Sequence, residues 1–228
     1  MRTTLLNTPY NLSLLAKLGQ ANVKQPEISA LVQALYTNMF GVIVDQELAK
    51  IKVALKTRIY SKDSRGIFRG EIINPKQKIV VTDVIRGGIQ PANLFYLQLC
   101  ALLTASYVRQ DHIMCQRLEG AAGVTGTDLS ASKIGGSIKD QLVFIPDPMG
   151  ATGHSLAKVI QHYLKHYGRP KRFIAIHLVI TPAYRQRLAK IQAPLQVYAA
   201  RQDPRLTKDD FILPGLGGVG EMINNTKK

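Results

Sequence analysis

At 228 residues the chain has the length of one large domain, and 46% hydrophobic with 20% charged residues is the make-up of a chain with a real core rather than a disordered one. Thirty Lys and Arg against 15 Asp and Glu leave a net charge of +15, a field that attracts anions from small polyphosphates to nucleic acid. The basic residues are dispersed rather than run together, which counts against a nucleic-acid-binding tail.

No apolar stretch approaches the roughly 20 residues that span a bilayer, so no membrane association is expected. The N-terminal "LLNTPYNLSLLAKLG" is too broken for a signal-peptide core. Cys100 and Cys115 make neither a CxxC pair nor a framework, which points to a reducing, cytoplasmic compartment. His162 and His166 stand at i,i+4 on an expected helix, but no third metal ligand is near in sequence, and a solvated helix face explains them.

In chain order, a helical segment is expected over about 1–45. Within it "EISALVQALYTNMFG" (27–41) places Ile28, Leu31, Val32, Leu35 and Met39 at helical spacing, with Gly41 near the end. "KIVVTDVI" (78–85) is a short β-branched run that stops at "RGG", a strand and then a turn. "NLFYLQLCALLTASY" (93–107) is long and apolar enough for a mostly buried helix. "QLVFIPD" (141–147) is a second buried strand. Leu156, Val159, Ile160, Tyr163, Leu164 and Tyr167 then line one face of a helix stopped by Gly168 and Pro170. "FIAIHLVI" (173–180) is a strand, "AYRQRLAKI" (183–191) a helix and "LQVYA" (195–199) a strand.

Continuously apolar strands alternating with helices predict an α/β fold, a doubly wound and mainly parallel sheet with right-handed crossovers. One domain over 1–228 is expected, with its core at about 78–200. Ligands of such sheets bind beyond the carboxyl ends of the strands. "RGG" (86–88) and "PDPMGATGHS" (146–155) both lie there.

The second of these loops combines Gly150 and Gly153 with the hydroxyls of Thr152 and Ser155 at the start of a helix. Free amides and the positive end of the helix dipole make such a junction an anion site. A plain turn capped by Ser155 explains the same composition equally well. Neither the P-loop spacing nor the Gly-x-Gly-x-x-Gly spacing is present.

"DPMGATGHS" resembles the phosphoribosyl-pyrophosphate (PRPP) motif of uracil phosphoribosyltransferases, where Leu is usual in place of Gly150 and Gly in place of His154. "FILPGLGGVGE" (211–221) looks like the family's uracil-binding C-terminus, and "VIRGGI" (84–89) is similar to its Leu-Arg-Ala-Gly turn. The three occur in the family's order. The resemblance implies a type I phosphoribosyltransferase fold with a small hood from inserted and C-terminal segments, the latter at about 201–226. It implies formation of UMP and pyrophosphate from uracil and PRPP, in pyrimidine salvage. Mg2+ would come in with PRPP, with no direct protein ligand.

By the same resemblance Arg86, Asp147 and Arg117 carry the chemistry, with Arg109 as competitor for the place of Arg117. PRPP would meet Arg86, Arg117, Asp147, Pro148, Met149, Gly150, Ala151, Thr152, Gly153, His154, Ser155 and Gly218. Uracil would be read by the backbone of Ile212, Gly217, Gly218 and Val219, on a turn shaped by Pro214. A homodimer or higher homo-oligomer is implied, and a nucleotide effector is compatible. The chain departs from the pattern at Gly218, where the family has an Asp on the PRPP side, and at Glu221, where a second Asp is usual. Gly87 replaces Ala, and Gln116 a Tyr. His154 is expected to point outward. "EGAAGVTGTDLSASKIGGS" (119–137) stands where the family has a mobile acidic arm and is read as a hood. These departures keep two alternatives open: a relative that uses another base or only binds nucleotides, and an RNA-binding regulator on this fold. The lack of an aromatic–basic RNA motif counts against the latter, so nucleic acid is not an expected partner.

Overall fold

The computed structural model describes residues 1–120, 123–129 and 131–226, apart from the side chains of 116–128. The chain opens with strand β1 (Arg2–Leu5) and helices α1 (Pro9–Leu18) and α2 (Glu27–Glu47). A hairpin of β2 (Lys50–Lys56) and β3 (Ile67–Ile73) follows, then β4 (Ile79–Ile85), α3 (Ile89–Leu102) and β5 (Val108–Met114). A second antiparallel pair, β6 (Gln116–Gly120) and β7 (Gly123–Asp128), precedes β8 (Leu142–Pro146) and the two-residue β9 (Met149–Gly150). Then come α4 (His154–His166), β10 (Arg172–Ile180), α5 (Pro182–Ala189) and β11 (Leu195–Gln202). The chain ends with β12 (Arg205–Leu206), β13 (Ile212–Leu213) and the short α6 (Val219–Ile223).

The central sheet runs β1-β11-β10-β8-β4-β5, with β9 beside β10, and every pairing in it is parallel. Side chains alternate across a strand, so each strand feeds two cores. Ile79, Val81, Phe144, Ile174 and Tyr198 pack with α1, α2 and α3 on one face. Val80, Val143, Ile145, Phe173 and Val197 pack with α4 and α5 on the other. Helices on both faces make the sheet doubly wound, as the unbroken apolar strands predict.

Topology fixes where a ligand can sit. From β4 the chain leaves through α3 on one face to β5, whereas from β8 it leaves through α4 on the other face to β10. Because β4 and β8 are neighbours, the loops after them diverge and open a crevice between their carboxyl ends.

Several elements differ from expectation. The N-terminal segment begins as an edge strand, with Arg2–Leu5 paired to Gln196–Ala199. α2 passes through Gly41 and ends at Glu47, since a glycine facing open space costs a helix little while Ile43 and Val44 are buried beyond it. At 21 residues α2 is long and apolar enough to cross a bilayer by length and composition, contrary to the sequence reading; half of that stretch is buried in the protein instead. α3 starts at Ile89 and ends at Leu102, and only one stripe of it is buried: Pro91, Ala92, Phe95 and Leu99. β5 and the β2–β3 hairpin carry charges at alternate positions and escape an apolar-run criterion. Within the 119–137 segment read as a hood, "VTGTD" falls in β7, the second strand of a hairpin.

Candidate active site

Three loops meet in the crevice. The turn after β4, the loop after β8 and the segment from Asp209 to Glu221 together line a cavity of about 560 Å³. The approach is close. A Cβ on Gly87 would lie 3.5 Å from the Asp147 carboxylate, 3.6 Å from Gly220 Cα and 3.7 Å from Pro148. Sequence positions 87, 147 and 220 therefore lie side by side, with room at 87 for a methyl in ordinary contact.

The loop after β8 is held from behind. His177 Nδ1 lies 2.6 Å from the Asp147 carbonyl, the Leu178 and Val179 amides donate to Pro148 O, and the Thr181 amide donates to Gly150 O. Thr181 Oγ1 donates to Ala151 O at 2.6 Å and Arg187 Nε to Thr152 O at 2.7 Å. With its carbonyls taken up on the β10–α5 side, the loop turns the Thr152–Ser155 amides away from it. Among the described residues those amides, and the hydroxyls of Thr152 and Ser155, have no acceptor or donor. They face a pocket of about 100 Å³, room for a few water-sized groups. The helix is capped by Gly153 in a left-handed conformation with no side-chain cap, so the turn-only reading with Ser155 as N-cap does not hold. His154 is exposed at the pocket's rim.

Gly150 is explained by Tyr184. A Cβ at 150 would lie 2.8 Å from Ile180 Cγ2 and 2.9 Å from the Tyr184 ring, which fills the space under the loop. Tyr184 in turn bonds His177 Nε2 at 2.6 Å. A carbonyl can only accept, so Nδ1 carries the His177 proton, Nε2 accepts from the Tyr184 hydroxyl, and the imidazole is neutral. Burial pushes its pKa down to about 4, opposed by the bond to Asp147 O.

Asp147 reaches the cavity with one side, yet its carboxyl is largely cut off from water by the converging loops. That desolvation pushes its pKa up to about 7, and a bond from the Met149 amide offsets it only in part. Arg86 is exposed at the mouth; its Nη1 lies 3.3 Å from Thr226 Oγ1, and no described carboxylate pairs with it. Asn224 Nδ2 holds Gly220 O at 2.7 Å and reaches Arg86 O at 3.4 Å, tying the last helix to the arginine turn.

Arg109 is not at this site. It pairs in register with Val80, whereas the site lies beyond Ile85 and Met114 at the other end of these strands. Its guanidinium is spent on buried Asp111 and on the carbonyls of Gly136 and Ser137. Arg117 lies on β6, just after β5, with its side chain outside the described residues. His162 and His166 lie side by side on α4, ring centroids 4.9 Å apart and planes tilted by 49°, away from the crevice.

The loop at 212–221 is shaped by an ion pair, Arg201 with buried Asp203, that the sequence did not single out. Asp203 accepts from Arg201 at 2.6 and 2.8 Å and from the Gly215 amide at 2.8 Å. Gly215 has φ +68, and a Cβ there would fall 2.2 Å from Ile212 O, so no other residue fits. Ile212, Gly217, Gly218 and Val219 all line the cavity. The Val219 amide donates to Gly217 O, while the Gly217 and Gly218 amides have no described acceptor.

The uracil phosphoribosyltransferase family model matches residues 5–226. The chain belongs to the uracil phosphoribosyltransferase family. It is 31% identical to the uracil phosphoribosyltransferase of Pyrococcus furiosus, over 94% of this chain and 86% of that one. It is 23% identical to the enzyme of the same name from Pyrobaculum islandicum, over 99% and 100%. In fold it resembles the AQ2163 protein of Aquifex aeolicus, with a TM-score of 0.78 at 19% identity over 97% of both chains. Membership in this family of phosphoribosyltransferases agrees with the three motifs that the fold brings together.

Proposed function

We propose that the protein transfers the 5-phosphoribosyl group of PRPP to uracil, giving UMP and pyrophosphate. The observation that carries this reading is the convergence, around two adjoining pockets, of free helix-start amides, an arginine with no described carboxylate partner and a rigid turn whose amides have no described acceptor. The Thr152–Ser155 amides and hydroxyls hold the 5′-phosphate, aided by the dipole of α4. Asp147, ionised once ligand donors replace lost water, accepts hydrogen bonds from the ribose hydroxyls. Arg86 faces the pyrophosphate, where negative charge builds as the bond to the ribose breaks, and Arg117 is the second candidate cation. The base's carbonyl oxygens take the free amides of the turn at Gly217 and Gly218, and its N–H takes a backbone carbonyl there, with Ile212 and Val219 packing beside it.

Mg2+ bound to PRPP would neutralise pyrophosphate as it leaves. The donor set fits a cation that arrives with its ligand: Asp147, Asp209, Asp210 and Glu221 line the cavity, but no three His, Cys, Asp or Glu among the described residues form a cage. The protein acts in the cytoplasm, as a homodimer. The β2–β3 hairpin supports the dimer, since Leu55, Ile59 and Phe68 are exposed on or beside strands that pack chiefly on each other.

The test is pyrophosphate release with PRPP, Mg2+ and each nucleobase in turn. Uracil should support turnover and cytosine should not, because its amino group and ring nitrogen reverse the donor pattern of the pairing edge. Turnover with another base and not with uracil would overturn the assignment.

A further inference from the structure

Gly218 and Glu221 stand three residues apart in the turn that opens α6, where the Met222 amide donates to Gly218 O at 2.9 Å, and side chains at this spacing share a face. The Glu221 side chain folds back over Gly218. A Cβ on Gly218 would meet Glu221 Oε2 at 2.7 Å. The backbone at 218, with φ −81 and ψ 73, is the centre of an inverse γ-turn closed by the Val219 amide on Gly217 O, a turn that ordinary residues adopt, so conformation does not demand glycine there. Glu221 lines the cavity, and its carboxylate has no hydrogen bond or ion pair among the described residues, while its carbonyl accepts from the Thr226 amide. Its backbone is fixed, because Gly220 lies against Gly87 and is held by Asn224.

We infer that Glu221 supplies, from the place a side chain at 218 would occupy, the carboxylate that this loop presents to PRPP. The inference rests on the PRPP-binding reading above. A carboxylate can only accept, and PRPP with its cation offers two kinds of donor: ribose hydroxyls and cation-bound water. Gly218 is a glycine because the carboxylate it would otherwise carry arrives from three residues on. On this account the loop has the acidic group whose absence the bare sequence suggests.

The test is calorimetric affinity for PRPP with Mg2+ and for ribose 5-phosphate, both without a base so that turnover is not required. Glu221→Gln keeps shape and removes charge, and should weaken PRPP about tenfold, the worth of one charge-assisted hydrogen bond. Gly218→Asp alone should bring no gain, since two carboxylates then compete for one place. In a Glu221→Ala background the same Gly218→Asp change should recover PRPP affinity to within about threefold of the parent. Loss of ribose 5-phosphate affinity in step with PRPP assigns the donor to the hydroxyls; loss for PRPP alone assigns it to the cation's water. Glu221→Gln binding PRPP as the parent does, Gly218→Asp alone tightening it, or the double variant binding no better than Glu221→Ala would each overturn the inference. A PRPP defect in Glu221→Gln, in a protein that forms no UMP, would instead remove the uracil reading and leave this one standing.

Discussion

The two loops proposed to meet the phosphate and the base face the same cavity but are built in opposite ways. The first, 147–155, is buttressed on its backbone: β10 and α5 take its carbonyls one after another, and Tyr184 fills the floor beneath Gly150. The second, 212–221, is anchored at a few points, chiefly Asp203 to the Gly215 amide and Gln25 Nε2 to the carbonyls of Met222 and Ile223. A phosphate is met by backbone amides, whose direction depends on the whole loop. A sugar and a base are met by individual groups on a turn, and these can be exchanged between neighbouring positions. On the proposed reading, that difference lets the loop at 147–155 keep its architecture while the carboxylate of the other loop comes from 221 rather than 218.

The largest expected effect lies between the loops. Arg86→Ala should lower kcat by about 10²- to 10³-fold, the usual scale for a group that stabilises developing charge, with little change in unfolding temperature because Arg86 is exposed. A stopped assay of pyrophosphate with a melting curve separates the two. Next, Asp203→Ala should destabilise by about 3 kcal/mol, since it strands the largely buried Arg201 guanidinium and frees the Gly215 amide. It should also raise KM for uracil more than KM for PRPP, read from steady-state kinetics with each substrate varied.

Comparable glycine changes then test the contrast directly. Gly150→Ala drives a methyl into Ile180 and Tyr184 and should cost about 1–3 kcal/mol in urea unfolding. Gly218→Ala meets only the tip of a flexible glutamate and should cost under about 0.5 kcal/mol. Equal costs would erase the distinction between the loops.

The smallest effect is a slope. Asp147 holds a proton up to about pH 7 in the folded protein and only to about 4 unfolded, so its ionisation erodes stability as pH rises across that window. His177 has the opposite sign: the unfolded chain binds the extra proton between about 4 and 6.5, so its contribution grows as pH rises. Asp147→Asn removes the first and leaves the second. Its stability should therefore climb more steeply from pH 4 to 7 than the parent's, in urea titrations across that range.

Much of the fold was legible because β4, β8, β10 and β11 are buried on both faces and read as unbroken apolar runs. β1 and β5 were missed because edge strands carry charge, as Arg2 and Arg109 do. Within the site, residues contiguous in a motif, such as Asp147 to Ser155, could be read directly. His177, Tyr184, Arg201 and Asp203 could not, since their roles come from packing behind loops that lie elsewhere in the chain. Arg109 was mistaken for a site candidate because spacing alone does not show which end of a strand a residue occupies. Gly218 looked like a lost carboxylate because a linear motif cannot show that Glu221 folds back over it.

The most direct measurement of the divided site is a crystal structure with UMP bound. The 5′-phosphate should lie about 2.7–3.1 Å from the amides of the Thr152–Ser155 turn, with the base against Gly217 and Gly218. A phosphate bound outside the 151–155 pocket, or a base bound away from that turn, would contradict the account.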